Sequence, residues 1–245
     1  MATEAPRLAV DRLTVAFGGL KALDEVSFEV GKGAFLSIIG PNGAGKSTLV
    51  QTISGFVRPT AGSLRLEGRP LAGLSSDAIA ALGVARTFQT SRVFPALSVG
   101  DSVAVGTQRR LIGGGRTEVA FNALSEPIAA LLGLPRYRRR EAECRARAEE
   151  VMQLFGDRLW PRRDQPAHSL SYANRRRLDI ARALIAEPDL LLLDEPTAGM
   201  NPTESRELAD VLAGLRARFP DITIIMIEHK LDVVRRLADR TIVMG

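Results

Sequence analysis

The sequence predicts an α/β protein in which buried strands and helices surround a phosphate-binding turn, with a helical segment inserted partway along the chain. Three observations carry that expectation. Residues 40–48 read GPNGAGKST and fit the pattern G-x-x-x-x-G-K-[ST], set between an apolar run at Phe35–Ile39 and a helix-forming stretch at Ser47–Ile53. Leu190–Leu193 is continuously apolar rather than alternating, as expected of a strand covered on both faces, and Thr223–Ile227 reads as a second buried strand. Strand signals fade between Ser98 and Asp164, where Glu141–Phe155 places Ala148, Val151 or Met152, and Phe155 on one face at helical spacing.

In chain order, Leu8–Val15 alternates loosely and reads as a strand, followed by Phe17 and a Gly18-Gly19 turn. Val26–Val30 reads as a second strand, and Gly31-Lys32-Gly33 turns the chain into Phe35–Ile39. After the first helix comes a turn at Arg58–Gly62 and a strand at Ser63–Glu67. Ser75 or Ser76 caps a short helix that ends at Gly83, and Val84–Phe88 is a strand with Gln89 just past its end. Within the helical segment, Gly113-Gly114-Gly115 and Gly133-Leu134-Pro135 read as breaks, and Arg136–Arg140 as a solvated face with anionic lipid as the lesser alternative. Pro202–Arg218 is a helix with proline in its first turn, Lys230–Ala238 another, and Thr241–Val243 a last strand.

Composition sets limits. A chain of 245 residues with ordinary apolar and charged content can build a sizeable core. Cys144 is the single cysteine, so no internal disulfide forms, and a reducing compartment is expected. No stretch approaches the ~20 uninterrupted apolar residues of a membrane span, and Met1–Arg7 lacks the apolar centre of a signal peptide. The net charge of +5 fits a nucleotide, nucleic acid or anionic lipid equally well.

The turn of Gly40, Pro41, Asn42, Gly43, Ala44, Gly45, Lys46, Ser47 and Thr48 supplies what a polyphosphate needs. Glycines let the backbone come close and turn its N–H groups inward, and a helix N-terminus adds a positive dipole end. Lys46 adds a full charge, and the Ser47 hydroxyl can reach a magnesium ion. Asp194 follows four leucines, so it stands at the C-terminal end of a buried strand, where open α/β sheets bind ligands. It is expected to hold Mg2+ through water, with the adjacent Glu195 placed to polarise an attacking water. His229 ends the Thr223–Ile227 strand in the same way, whereas His168 has no such placement and is assigned no role.

The stretch Leu170-Ser171-Tyr172-Ala173-Asn174 followed by Ile180-Ala181-Arg182-Ala183-Leu184 resembles the signature of ABC transporter ATPases, usually Leu-Ser-Gly-Gly-Gln before such a helix. With the phosphate loop, Leu193–Thr197 and His229, the resemblance covers nearly the whole chain. It implies a P-loop NTPase (ABC ATPase) core with an antiparallel β subdomain and an inserted α-helical subdomain. Residues 1–245 would form a single ABC ATPase domain, with 1–98 and 165–245 as nucleotide-binding core and 99–164 as helical subdomain. It further implies ATP and Mg2+ as cofactors and a head-to-tail dimer in which each ATP lies between one subunit's phosphate loop and the other's signature. Phe17 would stack on adenine, and Gln89 would contact magnesium and the attacking water. Glu195 would be the general base, and His229 would bind the γ-phosphate and hold that glutamate in line. Ser171, Tyr172, Ala173 and Asn174 would meet the partner's nucleotide, and Asn201 would sit in the loop linking the two sites.

Ala173 and Asn174 depart from the usual glycine and glutamine. The Ala173 methyl is expected to crowd the approach of backbone to phosphate. Phe17–Leu23, Gly83–Gln89, Ser171-Tyr172 and Ile227–Lys230 look like the ATPases of branched-chain amino-acid importers. That branch implies integral-membrane permeases, a second identical or paralogous ATPase, a periplasmic or extracellular solute-binding protein, no nucleic acid, and a peripheral place on the cytoplasmic face of the inner membrane. Two alternatives stay open: the ATPase of a lipopolysaccharide-type exporter, and a soluble ABC ATPase outside transport. A GTPase or small-molecule kinase is disfavoured, because no Asn-Lys-x-Asp guanine motif occurs and the signature would go unexplained.

Overall fold

The structure is a computed structural model that describes residues 5–88, 94, 96–107 and 135–245. The chain divides into two compact units, Met1–Gln89 with Pro188–Gly245, and Thr90–Glu187.

The first unit holds two sheets. The strands β1 (Leu8–Phe17), β2 (Leu20–Val30), β4 (Ala61–Leu66) and β5 (Arg69–Pro70) form an antiparallel sheet in the order β2-β1-β4-β5. The strands β3 (Phe35–Ile39), β6 (Val84–Arg86), β7 (Leu190–Asp194), β8 (Thr223–Ile227) and β9 (Arg240–Val243) form a parallel sheet in the order β6-β7-β8-β3-β9. Every residue of β7 and β8 is buried, which accounts for the apolar runs Leu190–Leu193 and Ile224–Ile227 within them. In β1 burial alternates loosely, and Leu8, Val10, Leu13 and Val15 point into the core. One cluster joins these residues to Leu36 and Ile38 of β3, Leu190 and Leu192 of β7, and Ile225 and Ile227 of β8. Leu49, Val50 and Ile53 of α1 (Lys46–Ile53) complete it, so the helix after the phosphate loop is anchored along its length. The remaining helices of this unit are α2 (Ser76–Ala81), α6 (Pro202–Arg218) and α7 (Leu231–Leu237).

β2 is longer than the sequence predicts, beginning at Leu20 rather than Val26. It lies at the edge of its sheet, so most of its side chains meet solvent and the sequence there carries no apolar alternation. β6 stops at Arg86, short of the expected Phe88.

The second unit contains α3 (Val99–Ala104), α4 (Pro135–Gln153), α5 (Tyr172–Leu184) and short 3-10 turns. Ala148, Val151, Met152 and Phe155 are all buried, so the predicted helical face is real. Pro135 opens α4, in agreement with an element boundary at Gly133-Leu134-Pro135, and a first-turn proline gives up only an N–H that has no intrahelical acceptor. Arg139 lies exposed on α4 and pairs with Glu143 at 3.1 Å, as a solvated face does. The Gly113-Gly114-Gly115 break lies outside the described residues.

Candidate active site

β3 ends at Ile39 and α1 begins at Lys46, so the loop between them crosses the C-terminal edge of the parallel sheet. Two glycines there are dictated by packing. A Cβ on Gly40 would collide with the carbonyl oxygen of Met244, and one on Gly45 with that of Ala22. Gly45 is the residue before α1, at φ 86, and supplies no side-chain cap, so the first N–H groups of the helix stay available to an anion. The Lys46 ammonium is buried and donates to the carbonyls of Gly40 (2.9 Å) and Pro41 (2.7 Å). The loop thereby wraps its own lysine and stores a positive charge beneath the space it encloses.

That space is a pocket of about 620 Å³. Asn42, Gly43, Gly45, Lys46, Ser47 and Thr48 form one side, Leu20, Lys21 and Ala22 of β2 a second, and Glu195 and His229 a third. Residues from positions 20 to 229 therefore converge on one cavity within the first unit. Lys21 hydrogen-bonds Asp24, which raises its pKa. Phe17 ends β1 opposite Leu20 and is half exposed, but is not part of the wall.

Glu195 and His229 are brought together by sheet order, since β7 and β8 are neighbours and each residue lies just past its strand. Glu195 Oε1 lies 3.2 Å from His229 Nε2. The glutamate backbone is left-handed, at φ 48, and its N–H donates to the Ile227 carbonyl at 3.0 Å. A non-glycine residue held there stores strain of about 1–3 kcal/mol, which the surrounding hydrogen bonds must offset. The result is a carboxylate turned out of the strand line and into the pocket.

Asp194 is buried at the last position of β7 and is gripped by Arg86, a residue to which the sequence assigns no role in the site. Arg86 Nη2 lies 3.1 Å from Asp194 Oδ2, and its Nη1 donates to Ser54 Oγ at 3.0 Å. The guanidinium also stands over the rings of Phe56 and Phe88, at 5.7 and 5.2 Å from their centroids. The signal available in the sequence is a charge inside the strand-like run Val84–Phe88, where a charge is stable only with a partner. The Ser47 hydroxyl and Asp194 carboxylate are hard oxygen donors suited to Mg2+, which takes few protein ligands beside phosphate and water. No cluster of three or more His, Cys, Asp or Glu able to hold a metal occurs among the described residues.

The signature residues belong to the second unit, and none lines the pocket. Ser171 caps α5, its hydroxyl accepting from the Asn174 N–H at 3.3 Å. Tyr172 is half exposed, and its hydroxyl accepts from Arg176 Nη2 at 2.8 Å. Ala173 and Asn174 are buried, and Asn174 Oδ1 accepts from Arg177 Nη1 at 3.1 Å. Ala173, 5% exposed, packs inside the unit. Gln89 lies outside the described residues.

Comparison with known proteins agrees with this geometry. A family model described as ABC transporter matches residues 23–198. The high-affinity branched-chain amino acid transport ATP-binding protein LivG of Salmonella typhimurium (strain LT2) is 38% identical over 240 residues, 98% of this chain and 88% of that protein. LivG of Escherichia coli (strain K12) is 37% identical over the same shares, and BraF of Pseudomonas aeruginosa, also a high-affinity branched-chain amino acid transport ATP-binding protein, is 36% identical. A nucleotide-free ATP-binding cassette from an ABC transporter superposes with a TM-score of 0.78 at 29% identity, covering 98% of this chain and 87% of that one. An ATP-binding cassette of an ABC transporter in its ADP conformation gives the same TM-score of 0.78 at 30% identity, with the same coverage of 98% and 87%. With its phosphate loop, strand-end carboxylates and signature helix accounted for, the chain belongs to the ABC transporter family, as one of its ATP-binding, ATP-hydrolysing cassettes.

Proposed function

We propose that this cassette powers an importer of branched-chain amino acids or related small hydrophobic solutes. It would sit at the cytoplasmic face of the inner membrane, bound to integral-membrane permeases and paired head to tail with a second cassette, identical or paralogous. A solute-binding protein outside the membrane would deliver the solute. The names of the LivG and BraF relatives support the solute class over a lipopolysaccharide-type exporter or a non-transport ATPase. No helix among the described residues is long and apolar enough to cross a membrane, which fits a subunit that borrows its membrane part.

The observation that carries the enzymatic part is the Glu195–His229 pair facing the phosphate loop across one pocket. In the proposed mechanism the loop N–H groups, the α1 N-terminus and Lys46 hold the β- and γ-phosphates. The Ser47 hydroxyl, and the Asp194 carboxylate through water, would hold Mg2+, which would supply charge neutralisation at those phosphates. Phe17 stacks on adenine. Glu195 Oε takes the proton of the attacking water, while His229 fixes the carboxylate and contacts the γ-phosphate. Gln89 contributes to the same water and metal. Ser171, Tyr172, Ala173 and Asn174 present the start of α5 to the partner's ATP, the two buried residues through their backbone. The functional division into core (1–98 and 165–245) and helical subdomain (99–164) belongs to the same proposal.

Glu195→Gln tests it. The substitution keeps the shape and removes the base, so turnover should fall by two orders of magnitude or more while ATP affinity stays within a few-fold. Normal phosphate release by that variant, assembled with its permeases, would sink the assignment.

A further inference from the structure

Three consecutive residues past β8 each grip the segment that follows β7. Glu228 is buried, and its Oε2 accepts from the Thr197 hydroxyl at 2.7 Å and the Thr197 N–H at 3.3 Å. Its Oε1 accepts from the N–H groups of His229 (2.8 Å) and Lys230 (3.2 Å). His229 reaches Glu195. Lys230 Nζ then donates to the carbonyls of Thr197 (3.1 Å) and Met200 (2.8 Å) and to Ser205 Oγ (2.7 Å).

An ammonium has three protons, and Lys230 spends all of them on one short stretch, 197–205. Thr197, Met200 and Ser205 are buried, at 0, 6 and 1% exposure, so water cannot readily take over as donor. Lys230 does not line the nucleotide pocket. It lies beside the catalytic pair, not within it.

We propose that Lys230 is a positioning residue for hydrolysis. It ties the 197–201 turn and the first turn of α6 to the strand end that carries His229, so any displacement of that turn moves His229 and, through it, Glu195. The inference rests on the reading of Glu195 as base and His229 as its partner. The role of Lys230 is mechanical, in that it makes the site and the turn move as one piece. With the tie cut, Glu195 would still occupy the pocket, but its orientation toward the water would no longer be fixed.

The test compares Lys230→Met, His229→Ala and the double variant, with Glu195→Gln as reference, in the full chain assembled with its permeases. Nucleotide dissociation constants are read by calorimetry, and kcat and KM by phosphate release. For Lys230→Met, affinity and KM should stay within about twofold while kcat drops roughly ten- to a hundredfold, the range expected when a reacting group is misplaced. The double variant should be no slower than His229→Ala alone, because both changes break one line of support. A kcat within twofold of wild type would overturn the proposal. So would losses that multiply in the double variant, since those mark a structural contribution independent of His229. Inactive Glu195→Gln beside a normal Lys230→Met defeats this inference alone, whereas active Glu195→Gln defeats the catalytic reading beneath it. Ser205→Ala removes one of the three acceptors and should give a smaller loss of the same kind; full activity there, with Lys230→Met unfolded, would also count against the tie.

Discussion

Arg86 shows how much can depend on a residue to which the sequence assigns no chemical role. Its ion pair with Asp194 is nearly sealed from water, with side chains 8 and 3% exposed. Breaking such a pair from one side leaves a buried charge uncompensated, which costs about 3–5 kcal/mol. Arg86→Met should therefore lower the denaturation midpoint sharply, and adding Asp194→Asn should recover part of the loss, as a double-mutant cycle in urea would record. A cycle with no coupling would mean that the pair contributes nothing. The residues proposed to bind phosphate are legible because their spacing is local, nine positions from Gly40 to Thr48. Arg86 and Asp194 are 108 positions apart, and only the fold makes them neighbours. Ala173 is a related case. Its identity is visible in the sequence, but the direction of its methyl is set by how α5 packs.

Among the elements, those with explicit end signals are the most legible. α6 begins where Asn201 and Glu204 form a reciprocal cap, Asn201 Oδ1 accepting from the Glu204 N–H at 2.9 Å and Glu204 Oε2 from the Asn201 N–H at 3.1 Å. Pro202 follows the cap at the first helical position. Asn201→Ala should cost about 1 kcal/mol of stability, detectable as a shift of a few degrees in the melting temperature. A shift larger than that would implicate the neighbouring Ser205–Lys230 contact, so the measurement also gauges how far the cap supports the tie. β7 and β8 are legible for the opposite reason, since burial on both faces leaves four apolar residues in a row in each. β2 is half hidden, because an edge strand can satisfy one side with polar residues and still pair fully on the other. Pro135 is legible as a boundary, and it stands where α4 begins.

For the molecule as a whole, the resemblance pointed to an α/β nucleotide-binding core beside an antiparallel sheet, but the residues alone did not yield the strand order. Nothing local states that β8 lies between β3 and β7, yet that insertion is what sets His229 between the phosphate loop and Glu195. The same order has a consequence for manufacture. β3 is made early, but both its hydrogen-bonded neighbours, β8 and β9, come from residues 223–243. Until those are synthesised, β3 has no sheet to join, its backbone groups have no strand partners, and the loop that follows it has no fixed floor. The nascent chain must carry its most recognisable motif through all the residues between β3 and β8 before that motif can be used, at the entropic cost that long-range pairing always brings. A chain ending at Pro220 should therefore fail to bind fluorescent ATP although GPNGAGKST is intact, and binding by that fragment would show that the loop shapes itself. A ribosome that stops early releases a product blind to nucleotide, unable to compete with finished copies for the cell's ATP.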